Sequence, residues 1–203
     1  MAQVTRRLRV LLIGAIALVA SILLTQGIDW ASSSSGGISP LALAQDNAPP
    51  PALAPALPMV SGSFEDPQGR FQIGILDGYS VSTVGATPLF QAADGSLAYT
   101  VAVAPLLPNS SPEAAMVAAA ESTFGAGEGF VAGDVQPIAG GGVRINWAGR
   151  LSQGAAPPQP ITGKIFARQR DAQVYLLMVA ATSTGEAQVA DAINALGSTL
   201  VVP

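Results

Sequence analysis

Two helix signals set among eight strand-like runs, one of those runs apolar on both faces, predict an α+β domain: a mainly antiparallel β-sheet sandwiched by helices. A two-layer α+β arrangement of the same elements is the alternative this pattern leaves open. The first run, Arg70–Leu76, alternates with Phe71, Ile73 and Ile75 on one face. Asp77-Gly78 is a two-residue turn signal, and Tyr79–Val84 alternates again, so the two runs are expected to form a hairpin. Thr87–Ala92 and Leu97–Pro105 follow as strands joined through Asp94-Gly95.

The period then changes. Ser110-Ser111-Pro112-Glu113 is a helix start, with Ser110 as the cap, Pro in the first turn and Glu113 completing a capping box. Val117, Ala120 and Phe124 mark the buried stripe, and Gly125 ends the helix. Phe130–Ile138 and Val143–Leu151 resume the strand pattern around Gly140-Gly141-Gly142. Beyond the Gln153–Pro160 loop come Ile161–Arg170, the Arg170-Asp171 turn and Gln173–Ala181. Ser183-x-x-Glu186 is expected to cap the last helix, whose Val189, Ile193 and Leu196 share a face. Val174–Ala180 shows no alternation, so both its faces are covered and it belongs at the centre of the sheet.

This domain spans 63–203, and two different segments precede it. Residues 1–44 carry Arg6, Arg7 and Arg9, then fifteen residues from Val10 to Leu24 with nothing more polar than Ser21. A membrane span needs about 20 apolar residues, so the run has the proportions of a secretory signal peptide. Ala42-Leu43-Ala44 supplies an A-x-A cleavage site; an uncleaved anchor reaching Ile28 is the alternative. Either way the protein is expected to be exported, to a periplasm or thylakoid lumen, soluble or tethered. Residues 45–62 are Pro- and Ala-rich without a period and read as an extended spacer.

Composition limits the chemistry. The chain has no His and no Cys, which excludes Ser-His-Asp and Cys-His catalysis, a redox dithiol, a disulfide and the common zinc, haem and iron–sulfur sites. No catalytic residue, metal or cofactor is therefore assigned, and a non-enzyme is expected. After residue 44 there remain six basic and twelve acidic residues, which argues against nucleic acid as a partner. Gly125-x-Gly127-x-Gly129 follows a helix instead of linking a strand to one, so it reads as a loop and not a dinucleotide fingerprint. Glu65-Asp66, Asp77, Asp94, Asp134 and Asp171 are placed at turns, where Asp satisfies local N–H groups.

Five of those six basic residues fall on two consecutive strands. Arg144, Asn146, Ala148 and Arg150 share one face of Val143–Leu151; Lys164, Phe166, Arg168 and Arg170 share one face of Ile161–Arg170. If the strands pair, the two faces coincide, and Arg144, Arg150, Lys164, Arg168 and Arg170 become a partner-binding surface. The competing reading is a solvated hairpin whose Arg residues are neutralised by acids from neighbouring loops.

Phe64–Val81 (FEDPQGRFQIGILDGYSV), Lys164–Thr182 (KIFARQRDAQVYLLMVAAT) and Val189–Val202 (VADAINALGSTLVV) resemble, in that order, the opening, the paired strands and the closing helix of PsbP-like domains. The resemblance covers roughly 63–203 and implies an α/β/α sandwich, the fold of the photosystem II extrinsic protein PsbP, its cyanobacterial relatives and a Ran-binding nuclear import factor. It also implies a non-enzymatic accessory or assembly role; joined to the basic face, the expectation is docking to a membrane-bound complex such as photosystem II or to an anionic surface, with peripheral membrane association. Without Cys the lipid anchor expected of cyanobacterial PsbP is excluded, and without His no family metal site carries over. An extracytoplasmic carrier of a small apolar or anionic ligand, held between sheet and helix, is the alternative function.

Overall fold

A computed structural model describes residues 58–85, 87–107, 111–152 and 154–203. The targeting segment and most of the spacer lie outside the described residues, as does the expected cap Ser110. The strands are β1 (Val60–Glu65), β2 (Gln72–Leu76), β3 (Tyr79–Val84), β4 (Thr87–Ala92), β5 (Leu97–Pro105), β6 (Val131–Pro137), β7 (Val143–Leu151), β8 (Gln159–Arg170) and β9 (Gln173–Ala181). Helix α1 covers Pro112–Phe124 and α2 covers Val189–Thr199. No helix among the described residues is long and apolar enough to cross a membrane.

Seven strands form one antiparallel sheet in the order β3-β4-β5-β9-β8-β7-β6. The strand read as apolar on both faces, β9, is the fourth of the seven. Its Val174 and Leu176 pack in one core with Met116, Ala119 and Phe124 of α1. Its Tyr175, Leu177 and Val179 pack in a second core with Val189, Ile193 and Leu196 of α2. One helix on each face of the sheet makes the three-layer sandwich, in place of the two-layer alternative.

The expected hairpin between Arg70–Leu76 and Tyr79–Val84 does not form. β2 pairs with β1 in a separate two-stranded ribbon, and β3 opens the large sheet. β1 begins at Val60, within the segment read as spacer, and Val60 and Gly62 pair with Leu76 and Ile75. The outer edge of β2, which β3 was expected to occupy, is closed by three unrelated groups. Gln72 exchanges backbone hydrogen bonds with Val201, the Gly74 amide donates to Thr199 Oγ1, and the Leu76 amide donates to the Tyr99 hydroxyl. That hydroxyl in turn donates to the Gly74 carbonyl. Buried backbone groups must find partners, but they need not find them in the next strand.

Two caps also differ. Ser111, one residue after the expected cap, accepts the Ala114 amide at the start of α1. Ser183 caps nothing: the chain enters α2 through a 3-10 turn, Glu186–Gln188, with no side-chain cap at either start. In α1 the buried residues include Ala120 and Phe124 as expected, whereas Val117 is only half-buried and Met116 takes the inner position. Asp134 lies within β6, where the register shifts between Ala132 and Val135, and Glu65 lies in β1; neither sits in a turn.

Candidate functional site: a cationic strip beside the second helix

β7 pairs over its whole length with Gln159–Ala167 of β8, so the faces inferred from alternation coincide, and Arg168 and Arg170 continue β8 past the end of β7. Arg144 lies opposite Phe166, Asn146 opposite Lys164 and Arg150 opposite Pro160. This face is the one that α2 covers: Phe166 packs against the core containing Leu177 and Leu196. Arg144 therefore has Lys164 and Arg168 as its two diagonal neighbours, about 7 Å away across the ladder. Arg170 follows two residues beyond Arg168, at the end of β8.

The structure does not gather all five cations into one patch. Arg150 stands six positions from Arg144, about 20 Å at a strand's rise of ~3.3 Å per residue, and its β8 neighbours Pro160 and Thr162 are not cations, so nothing links it to the others. The Arg150 stem lies instead over Gly129, where an added Cβ would stand 3.3 Å from its Cγ. A positive φ of 61° at Gly129 and the Gly127 amide bonded to Phe124 O confirm the 125–129 glycines as a loop that closes α1. The usable strip is thus Lys164, Arg144, Arg168 and Arg170, with Arg150 an outlier.

Two members of the strip are held by neutral partners. Lys164 Nζ donates to Asn146 Oδ1 at 2.7 Å, and Arg144 Nη2 donates to Asn194 Oδ1 of α2 at 2.9 Å. The Nε of Arg144 is buried and has no partner among the described residues. Arg168 and Arg170 are exposed. No acid reaches ion-pair distance of these cations: among the described residues the one ion pair joins Arg70 and Asp66, far along the chain. Sequence pattern could place Asn146 on this face, but nothing near position 144 signals Asn194, fifty residues away.

That remaining cation serves the fold. Arg70 Nε and Nη2 donate to the two oxygens of the buried Asp66 at 2.7 and 2.9 Å. The Arg70 side-chain hydrogen bonds hold the Asp66 carboxyl below the ordinary carboxylate range. Asp94, at its turn, accepts the Ser96 amide at 2.9 Å and is likewise held low by that bond. Asp171 occupies its turn with a φ of 51°.

No protein-family model and no curated protein matches the sequence. Solved structures do. The Ran-binding protein Mog1p of Saccharomyces cerevisiae aligns over 71% of this chain and 96% of its own, at 9% identity and a TM-score of 0.52. A protein from Bacteroides thetaiotaomicron aligns over 71% of this chain at 11% identity and a TM-score of 0.48, and the chain spans about half (49%) of that protein's length. Cyanobacterial PsbP from Synechocystis aligns over 76% of this chain and 99% of its own, at 8% identity and a TM-score of 0.41. The chain has the antiparallel α/β/α sandwich fold seen in Mog1p, the architecture that the PsbP-like resemblance implies.

Proposed function

We propose that this chain is a non-enzymatic, exported accessory protein that docks to a membrane-bound complex through Arg144, Lys164, Arg168 and Arg170. The observation that carries the reading is a line of four cations without a carboxylate in ion-pair reach among the described residues. It stands on a chain whose residues after position 44 carry twice as many acids as bases. Diagonal cations about 7 Å apart across the ladder repel one another weakly, and an acidic partner surface relieves that repulsion. A positive stripe on an acidic protein also orients its approach to that surface. The signal-like segment supports export, and the resemblance to PsbP-like domains supports a photosynthetic membrane as the setting.

The test is comigration on native gels of gently solubilised host membranes, with full-length protein and its R144Q/R168Q variant. Wild type is expected to run with a large complex, more weakly as salt rises, and the variant to run free while melting within about 2 °C of wild type. Wild type running free, or a variant that comigrates undiminished, refutes docking through this strip.

A further inference from the structure

The opposite face of the sheet carries a second feature that docking leaves unused. Helix α1 packs over the half containing Val143, Ile145, Ala167 and Leu176 and leaves the other half open. The open half is the floor of a groove of about 600 Å³, bounded by β4, β5 and β9 on one side and β7 and β8 on the other. Pockets of about 300–1,000 Å³ are the size that holds small molecules.

We propose that this groove binds a neutral amphiphile, an apolar chain or ring system bearing a hydroxyl or amide head. The polarity of the floor changes from one end to the other. Trp147, Leu151, Ile161 and Met178 make the β7–β8–β9 end apolar, while Ser80 and Gln91 face the groove from β3 and β4 with uncharged donors and acceptors. Of the lining residues Asp94 is the one that carries charge, and none is Lys or Arg. An anionic head would find no counter-charge among the described lining residues and would meet a carboxylate held in its ionised form. The anionic-ligand version of a carrier therefore has no support in this groove; a neutral head on an apolar body matches both ends.

The apolar wall is held by packing and a hydrogen bond. Trp147 is 6% exposed, stacks on Phe130 with ring centroids 5.7 Å apart, and donates its Nε1–H to Val179 O at 3.2 Å. Its indole lies over Gly163, the residue directly opposite on β8, where an added Cβ would come within 2.6 Å of Nε1. Little of the ring is exposed, so it backs the groove wall in a fixed position that needs no ordering on binding.

Trp147 also reports the event. In the full-length chain carrying Trp30→Phe it is the single tryptophan, and its emission can be titrated with 1-decanol and with ionised decanoate. Saturable change with decanol and at least about tenfold weaker binding of decanoate are expected, the carboxylate bearing the full desolvation cost. Ala180→Leu and Ala98→Leu, which fill the floor from β9 and β5, are expected to weaken decanol binding about tenfold by excluding it from the groove, with melting checked for each. R144Q/R168Q is expected to leave it unchanged, so failure here is separable from failure of docking. No saturable change, equal affinity for decanoate, or indifference to both filling variants overturns the proposal.

Discussion

Replacing Tyr99 with Phe tests whether the β1–β2 ribbon is held to the large sheet by one buried hydroxyl. Tyr99 is 1% exposed, and its hydroxyl accepts the Leu76 amide at 3.1 Å and donates to Gly74 O at 3.0 Å. Burial pushes the phenol's pKa up, so it stays protonated and able to donate throughout the physiological range. Phe keeps the ring, including its stack on Phe90 at 4.4 Å and 5°, so the change isolates the hydroxyl. The Asp77 amide bonds to Met59 O on the β1 side, which places the Leu76 amide on the outer edge of β2 with Tyr99 as its partner. Y99F thus removes two hydrogen bonds worth about 1 kcal/mol each and leaves buried backbone groups unpaired, for a total of about 2–3 kcal/mol. For a domain of roughly 150 residues that lowers Tm by about 5–10 °C. The assay is thermal melting together with amide hydrogen exchange. Exchange at Gly74 and Leu76 should accelerate more than exchange in β9, because the ribbon loosens before the sheet opens. A Tm within about 2 °C of wild type, with exchange in β2 unchanged, would show that apolar packing alone seats the ribbon and that the hydroxyl is incidental.

Gly163→Ala should be among the most damaging single-methyl additions in the protein. The new Cβ would collide with the Val179 carbonyl and the Trp147 indole, a cost of about 3 kcal/mol or more. Urea unfolding followed by Trp147 emission measures it, and an unchanged midpoint would mean that the indole does not occupy this position. Asp66 sets an acid limb. Its folded pKa is depressed, so its stabilisation is present above the unfolded value of about 4 and is lost as pH falls through the folded value. Melting profiles from about pH 6 to 2 should therefore fall off below pH 4, and Asp66→Asn should flatten part of that fall while lowering Tm at neutral pH. Identical profiles for wild type and variant would remove the Asp66–Arg70 pair from the account.

Much of the fold is written locally. The expected bounds of β3, β4, β5, β7 and β9 coincide with the observed strands, because alternation over six to nine residues reports which side chains meet the core wherever that core is. The double-sided apolar run placed β9 at the centre for the same reason: only a strand covered on both faces tolerates that composition. Alternation also sorted Arg144, Lys164, Arg168 and Arg170 onto one face, since pairing of neighbouring strands preserves facing.

What tertiary structure decided was who meets whom. Asp77-Gly78 reads as a hairpin turn in any local window, yet the edge of β2 goes to Val201, Thr199 and Tyr99, groups 23 to 129 residues distant. The Asn194 bond to Arg144, the indole lying over Gly163 and the half of the sheet that α1 leaves open depend equally on register and layer packing. The sequence by itself determined most of the elements and the faces they bury, because both follow from backbone geometry and the apolar period; β1, whose pattern is mostly exposed, carried no such signal. The partners across layers, and with them the neutral side chains that hold Arg144 and Lys164 and the shape of the groove, follow from global close packing, which no local window contains.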